Sequence, residues 1–417
     1  MSRKIIEKEG RRWTELGIVT PEQYKQILGL YTEKKNAIGL VPILGSLLVG
    51  LGILSFTAAN WQDIPQMFRL ILIIASMCGF YVAGEMQLRR GHDKLGIALV
   101  GIGLITFGAG IVLIAQMFHL EAYDVTSWII WGIAGILLTY LYTSRYLYLL
   151  SLLLFSIAQW YSVVEFHNFS YAAFGLMIVG LGYYAWKHQN SLLAWLFSLS
   201  YVIQSIMLVS VNDWQFVWVF IPILVLYTLG DFVKNRDFAL PLQVAPLIAA
   251  YLFDLFIVLY AHERDYMNVK EDLLAQPLPF FAACVVLFGI SMLLKVRSGR
   301  ALSGVEWILM PPLLYLPIQV DVLYLFVLFF FSLFLLWRGY IEEWRFKINL
   351  GTFLFLISTM TAYFKLAWSF MDKSLFFIFG GILLLVLSWF LNRRRKQFIE
   401  EKIEDNIEDN KEGNDHV

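Results

Sequence analysis

The feature that most constrains this chain is a series of long apolar runs separated by short charged breaks. They occupy residues 39–59, 67–88, 95–118, 125–142, 146–164, 170–186, 191–211, 214–230, 238–260, 278–296, 301–319, 322–337, 348–366 and 374–391. A helix rises 1.5 Å per residue, and about twenty residues cross the ~30 Å of bilayer hydrocarbon. Backbone polar groups in lipid must be satisfied inside the segment itself. The expected fold is therefore all-α, a polytopic transmembrane helical bundle of about fourteen spans. The runs near 128–164 and 301–337 follow one another closely, and the span count could differ by two there.

Composition excludes the alternative of a water-soluble fold. Hydrophobic residues make up 59% of the 417 positions and charged residues only 15%, against about a quarter charged in ordinary soluble domains. Fourteen tryptophans suit the aromatic belts at the membrane interfaces. Basic and acidic residues balance at 32 each, so no global field draws the chain to nucleic acid.

Charge placement sets the expected topology. With the N-terminus inside, the inner loops carry Arg89, Arg90 and Lys94, then Arg145, Lys187, Lys234 and Arg236. They continue with Lys295, Arg297 and Arg300, then Arg338, Arg345 and Lys347, and finally Arg393 to Lys396. The outer loops hold Asp63, Glu121, Asp124, Glu165, Asp213 and a mixed stretch from Glu263 to Asp272. The outer side or its edge keeps only Arg69, Arg264, Lys270, Lys365 and Lys373. By the positive-inside rule both termini are expected on the cytoplasmic side of the cell membrane. No cleavable signal peptide is expected, because the run after residue 38 is too long and lacks a small-residue exit.

Residues 1–38 form a cytoplasmic amphipathic segment, expected as two short helices meeting at Gly17. Thr20-Pro21-Glu22-Gln23 reads as a capped helix start. Tyr24, Ile27, Leu28 and Tyr31 share a face suited to the membrane surface or a cytoplasmic protein partner. Residues 39–391 are the bundle. Residues 392–417 are a basic and then acidic tail, expected to be disordered. Gly50–Ala59 echoes Gly101–Gly110, which suits a repeat of helical hairpins. Gly45, Gly50, Gly52, Gly101, Gly103, Gly108 and Gly110 suit close helix packing. Cys78 and Cys284 lie in apolar runs and read as structural thiols.

No soluble-enzyme motif, metal-ligand spacing or cofactor fingerprint is present, so no catalytic residue, metal or cofactor is assigned. Ionisable groups inside spans mark function or pairing. Asp254 shares its run with Pro241 and Pro246, and Glu306 precedes Pro311, Pro312 and Pro317. Prolines should kink or break both helices, and acids on interrupted helices point to a transport pathway. The plainer alternative has Glu306 pairing with Lys295, Arg297 or Arg300, and Asp254 reaching outer-loop water. Glu85 and Arg89 are spaced for an interfacial ion pair. A second candidate is an outer polar cluster of Asn60, Trp61, Asp63, Arg69, Gln116, His119, Glu121 and Asp124, which converge if the first three spans pack together. An ordinary wet loop with an interfacial tryptophan is the plainer account of them.

Three stretches carry a resemblance. They are Trp13 to Gln23, the Gly50–Trp61 segment ending Ala-Ala-Asn-Trp, and Phe107–Leu120 containing Ile-Ala-Gln-Met-Phe-His-Leu. With Asn349-Leu-Gly351 and Phe379-Gly-Gly381 before Arg393, they resemble the domain-of-unknown-function 2157 family of bacterial membrane proteins. That resemblance implies a bacterial inner-membrane protein and no particular activity. The leading functional expectation is transport or flipping of an envelope-related solute or lipid intermediate. One alternative is a scaffold or sensor that binds a cytoplasmic partner, with no polar cavity between the ninth and eleventh spans. Another is a membrane-embedded transferase on a lipid-linked substrate, with the outer cluster as its only candidate site.

Overall fold

The computed structural model describes residues 36–59, 65–260, 277–310 and 320–367, together with Trp13, Val19, Thr20, Gln23, Tyr24, Tyr315, Ile378, Phe379, Gly381, Ile382, Leu385 and Val386. Among these residues the chain is all-helical, and seven helices are long and apolar enough to cross a membrane. The helices are α1 (Asn36–Ala59), α2 (Gln66–Arg89), α3 (Asp93–Met117), α4 (Thr126–Tyr142) and α5 (Arg145–Phe166). They continue as α6 (Tyr171–Leu176), α7 (Tyr183–His188), α8 (Ser191–Val211), α9 (Phe220–Phe232) and α10 (Arg236–Tyr260). The last are α11 (Pro277–Arg297), α12 (Val320–Ile341) and α13 (Arg345–Ala367).

Local chemistry places the helix ends where the apolar runs stop. Asn190 caps α8 by accepting from the Leu192 and Leu193 amides, and Ser170 caps α6 by accepting from Ala173. The left-handed residues Thr143 and Gln189 close α4 and α7, so the next helix starts two residues later in each case. At the N-terminus, the Thr20 amide donates to Gln23 Oε1 at 3.0 Å and the Gln23 amide to Thr20 Oγ1 at 3.3 Å. These are the reciprocal bonds of the expected capping box. The remaining face of that segment, the meeting point at Gly17, the acidic tail and most of 374–391 lie outside the described residues.

The chain divides into two compact units, Met1–Leu154 and Phe155–Val417, with the boundary inside α5. In the first unit α3 is buried along most of its length, whereas α2 is largely exposed and offers an apolar face to lipid. The echoed segments pack on one another: a Cβ on Gly50 of α1 would come within 2.4 Å of Ile105 of α3. A Cβ on Gly108 would come within 2.2 Å of Trp131, whose indole N–H donates to the Leu104 carbonyl at 2.8 Å. Gly45 and Gly52 have open space instead, so the expected tight packing holds for part of the glycine set. Glu85 and Arg89 form the expected pair at 3.0 Å.

In the second unit, α10 packs against α8, α9, α12 and α13. Its core includes Phe220, Leu224, Tyr251, Phe253, Ile257, Phe331 and Leu335. The two proline-bearing spans, each expected to be kinked or broken, behave differently. Span nine is not broken, because α10 runs through Pro241 and Pro246. Each proline removes one backbone donor, and packing against four neighbours holds the rod together. Span eleven departs from an α-helix. Residues Ala301–Leu309 form a 3₁₀ segment that ends in extended backbone at Met310, just before Pro311 and Pro312. These nine residues advance less than 20 Å at about 2 Å each; of the remainder of the expected run, 311–319, only Tyr315 is among the described residues. A π-helical stretch, Met177–Gly182, joins α6 to α7.

Candidate functional site

The end of α9, the last turns of α11 and α12, the 3₁₀ segment and the first turns of α10 and α13 come together around one cavity of about 680 Å³. Its walls divide by chemistry. Leu240, Val244, Leu247, Ile248, Phe331, Leu335, Leu350 and Leu354 supply an apolar lining. Lys234, Arg236, Arg297, Arg300, Arg338 and Lys347 supply six cations, and Asp231, Glu306 and Glu342 three carboxylates. The sequence dictates this division. Helices crossing lipid must be apolar along their length, while basic residues collect at the helix ends that share one side.

Behind the cavity wall lies a bonded polar chain. Lys295 and Asp231, both almost wholly buried, pair at 3.0 Å. Asp231 also accepts from Gln243 Nε2 at 2.7 Å and Ser291 Oγ at 2.6 Å, so both its oxygens are engaged. Lys295 donates a second bond to the Tyr227 hydroxyl at 2.9 Å, and that hydroxyl donates to Glu306 Oε2 at 2.5 Å. A buried ion pair repays its desolvation only when its remaining polar valences are filled in this way. Glu306 therefore reaches Lys295 through a tyrosine, and it shares the cavity with Arg297 and Arg300.

At the mouth, Glu342 receives three cations: Arg236 at 3.0 Å, Lys347 at 2.9 Å, and Arg338 one helical turn before it. Arg236 and Lys347 also lie over the Trp344 ring, at 4.1 and 5.2 Å from its centre. Lys347 stands just before the apolar run 348–366. Burial pushes its ammonium down to about 8; Glu306 opposes the shift, and Arg338, Arg236 and Lys295 add to it.

Asp254 lies on α10 one turn beyond Tyr251, which lines the cavity. It is fully buried, and neither carboxylate oxygen has a hydrogen-bond partner among the described residues. Tyr251 donates to the Leu354 carbonyl at 2.8 Å. One turn after Asp254, the Val258 carbonyl accepts from Lys365, which pairs with Asp321 at 2.6 Å. Asp254 and Glu306 thus occupy different levels of the same unit.

Of the outer cluster, Asn60, Trp61 and Asp63 lie outside the described residues, and Arg69 stands in the first turn of α2. Gln116 closes α3, and exposed His119 adopts a left-handed conformation just after it. The bonds of the two acids are local. Glu121 accepts from the Tyr123 hydroxyl at 3.2 Å and Asp124 from the Thr126 amide at 2.9 Å. The Thr126 amide holds the Asp124 carboxyl below the usual range. Among the described residues no group of three or more His, Cys, Asp and Glu could hold a metal ion.

The second-unit groups that sequence reasoning missed are Tyr227, Asp231, Gln243, Ser291 and Glu342. Asp231 falls one residue past an apolar run and Lys295 near the end of another, so each reads as an ordinary loop charge until the fold joins them. The i,i+4 spacing of Arg338 and Glu342 was visible, but the convergence of three helices on Glu342 was not.

No curated protein and no solved structure matches the chain. Residues 11–148 match the family model described as predicted membrane protein (DUF2157), a stretch within the first unit that stops short of the cavity. Over that segment, about a third of its length, the chain is similar to the DUF2157 family of predicted membrane proteins, as the Trp13–Gln23, Gly50–Trp61 and Phe107–Leu120 stretches led one to expect.

Proposed function

We propose that the second unit carries an amphipathic envelope-related solute or lipid intermediate, taking it up in the cavity from the cytoplasmic side. The observation that carries this reading is a 680 Å³ cavity with an apolar lining and a cationic mouth, set where the basic loops gather. Ligand cavities of this size are common, and their few polar groups orient the ligand. By the positive-inside rule the mouth faces the cytoplasm. A scaffold would need no such cavity between α10 and the 3₁₀ segment. Buried Asp254 gives a further polar step along α10, and an intramembrane acid of this kind marks a substrate or ion path. The transferase alternative draws less support, because the outer acids it needs are spent on local bonds.

The test uses the full chain in proteoliposomes loaded with fluorescent lipids of varied headgroup, read by leaflet-selective quenching and by proton flux. Wild type should move at least one lipid, and Glu306→Gln and Asp254→Asn should slow it while the protein remains folded. If no lipid in a broad headgroup panel moves and both variants match wild type in cells, the carrier reading fails.

A further inference from the structure

We infer that the headgroup taken by this cavity is a phosphate ester bearing two or more negative charges, and that Glu342 competes with it for the same cations. The inference rests on the carrier reading for the tail and on charge for the head. Six cations line the cavity. Asp231 is matched by buried Lys295, so among the described residues that line the cavity the six face Glu306 and Glu342, an excess of four positive charges. That imbalance is concentrated at Glu342, where one carboxylate receives Arg236, Arg338 and Lys347. Two of these cations are largely withdrawn from water, with 12% of the Arg338 side chain and 14% of the Lys347 side chain exposed. Like charges crowded in a water-poor site repel, and an incoming anion relieves that repulsion.

A carboxylate ligand brings a single charge. A phosphate monoester brings nearly two, with three acceptor oxygens that suit the planar donor forks of arginine. Arg300 donates its Nε to Ser298 at 3.1 Å, and among the described residues its terminal amino groups have no hydrogen-bond partner. Leu240, Val244 and Leu335 continue the wall away from the cations, which places an alkyl chain beside the head.

The experiment measures binding to the full chain in zwitterionic nanodiscs with three probes: dodecyl phosphate, dodecanoate and inorganic phosphate. Dodecyl phosphate is expected to saturate one site and to bind ~10-fold or more tightly than dodecanoate, as fits a doubly charged head on arginine forks. Arg300→Gln and the exposed Arg297→Gln should each weaken dodecyl phosphate more than dodecanoate. Glu342→Gln should tighten dodecyl phosphate, whereas a purely structural Glu342 would give weaker binding. Equal affinity for the two amphiphiles overturns the phosphate inference and leaves the amphiphile cavity standing. If neither amphiphile binds, both readings fall. Inorganic phosphate binding as tightly as dodecyl phosphate would keep the phosphate chemistry and remove the lipid as its source. Loss of binding when phosphatidylglycerol is added to the disc would overturn the inference in favour of ordinary anionic bilayer lipid.

Discussion

Replacing Lys295 with methionine tests the buried chain behind the cavity. The two side chains have almost the same length, so packing changes little, while Asp231 loses the only cation at 3.0 Å and stays buried. Removing one partner of a buried pair costs about 3–5 kcal/mol. Asp231 keeps its bonds from Ser291 and Gln243, which places the expected loss near 3 kcal/mol, the lower end of that range. Lys295→Met combined with Asp231→Leu removes both charges and should recover to within about 1 kcal/mol of wild type, since apolar replacement of a buried pair is often neutral. The assay is equilibrium unfolding in mixed micelles followed by circular dichroism, run as a double-mutant cycle with a coupling of at least ~2 kcal/mol expected. A Lys295→Met protein as stable as wild type, or a double variant no better than the single, refutes the account of Asp231 as a charge held by Lys295.

Gly108→Ala drives a methyl into the Trp131 ring and should cost about 1–3 kcal/mol; Gly45→Ala meets open space and should leave the melting temperature unchanged or higher. Binding of dodecyl phosphate should weaken as pH rises through about 8, where Lys347 loses its proton in the folded chain. Because that value lies below the ordinary lysine value of 10.5, the unfolded chain holds more protons above pH 8. Lys347 therefore makes stability rise with pH from about 8 toward 10.5, and Lys347→Met should flatten both profiles in calorimetry and unfolding. Asp254→Leu should raise thermal stability by removing a buried carboxyl whose oxygens lack partners among the described residues, while abolishing lipid movement in proteoliposomes; unchanged movement would take Asp254 out of the pathway.

The helical class and most helix boundaries among the described residues were legible in the sequence, because lipid forces apolar composition onto each crossing and leaves charge at the ends. α2, α3, α8 and α12 start and stop close to the apolar runs that announced them. The exceptions have local causes. Pro241 and Pro246 read as a kink or a break, and α10 runs on through both, packed against neighbouring helices. In the run 301–319 hydropathy was blind to helix type, so it did not reveal that residues 301–309 are wound as a 3₁₀ segment. Glu306 was legible as an intramembrane acid, but its tyrosine partner stands 79 residues away. The three cations on Glu342 come from α10 (Arg236), α12 (Arg338) and α13 (Lys347), a convergence only tertiary structure creates.

The 3₁₀ segment also limits how this part of the chain can change length. At three residues per turn, positions three apart stand in line, and Ser303, Glu306 and Leu309 are the buried edge. That edge joins Arg338 at Ser303, Tyr227 at Glu306 and the apolar core at Leu309. Inserting or deleting a single residue turns everything beyond it by about 120° and sets Glu306 facing away from Tyr227. Adding or removing three residues keeps the same edge inward and only slides it. Among descendants of this sequence, length variation between Arg300 and Met310 should therefore come in threes.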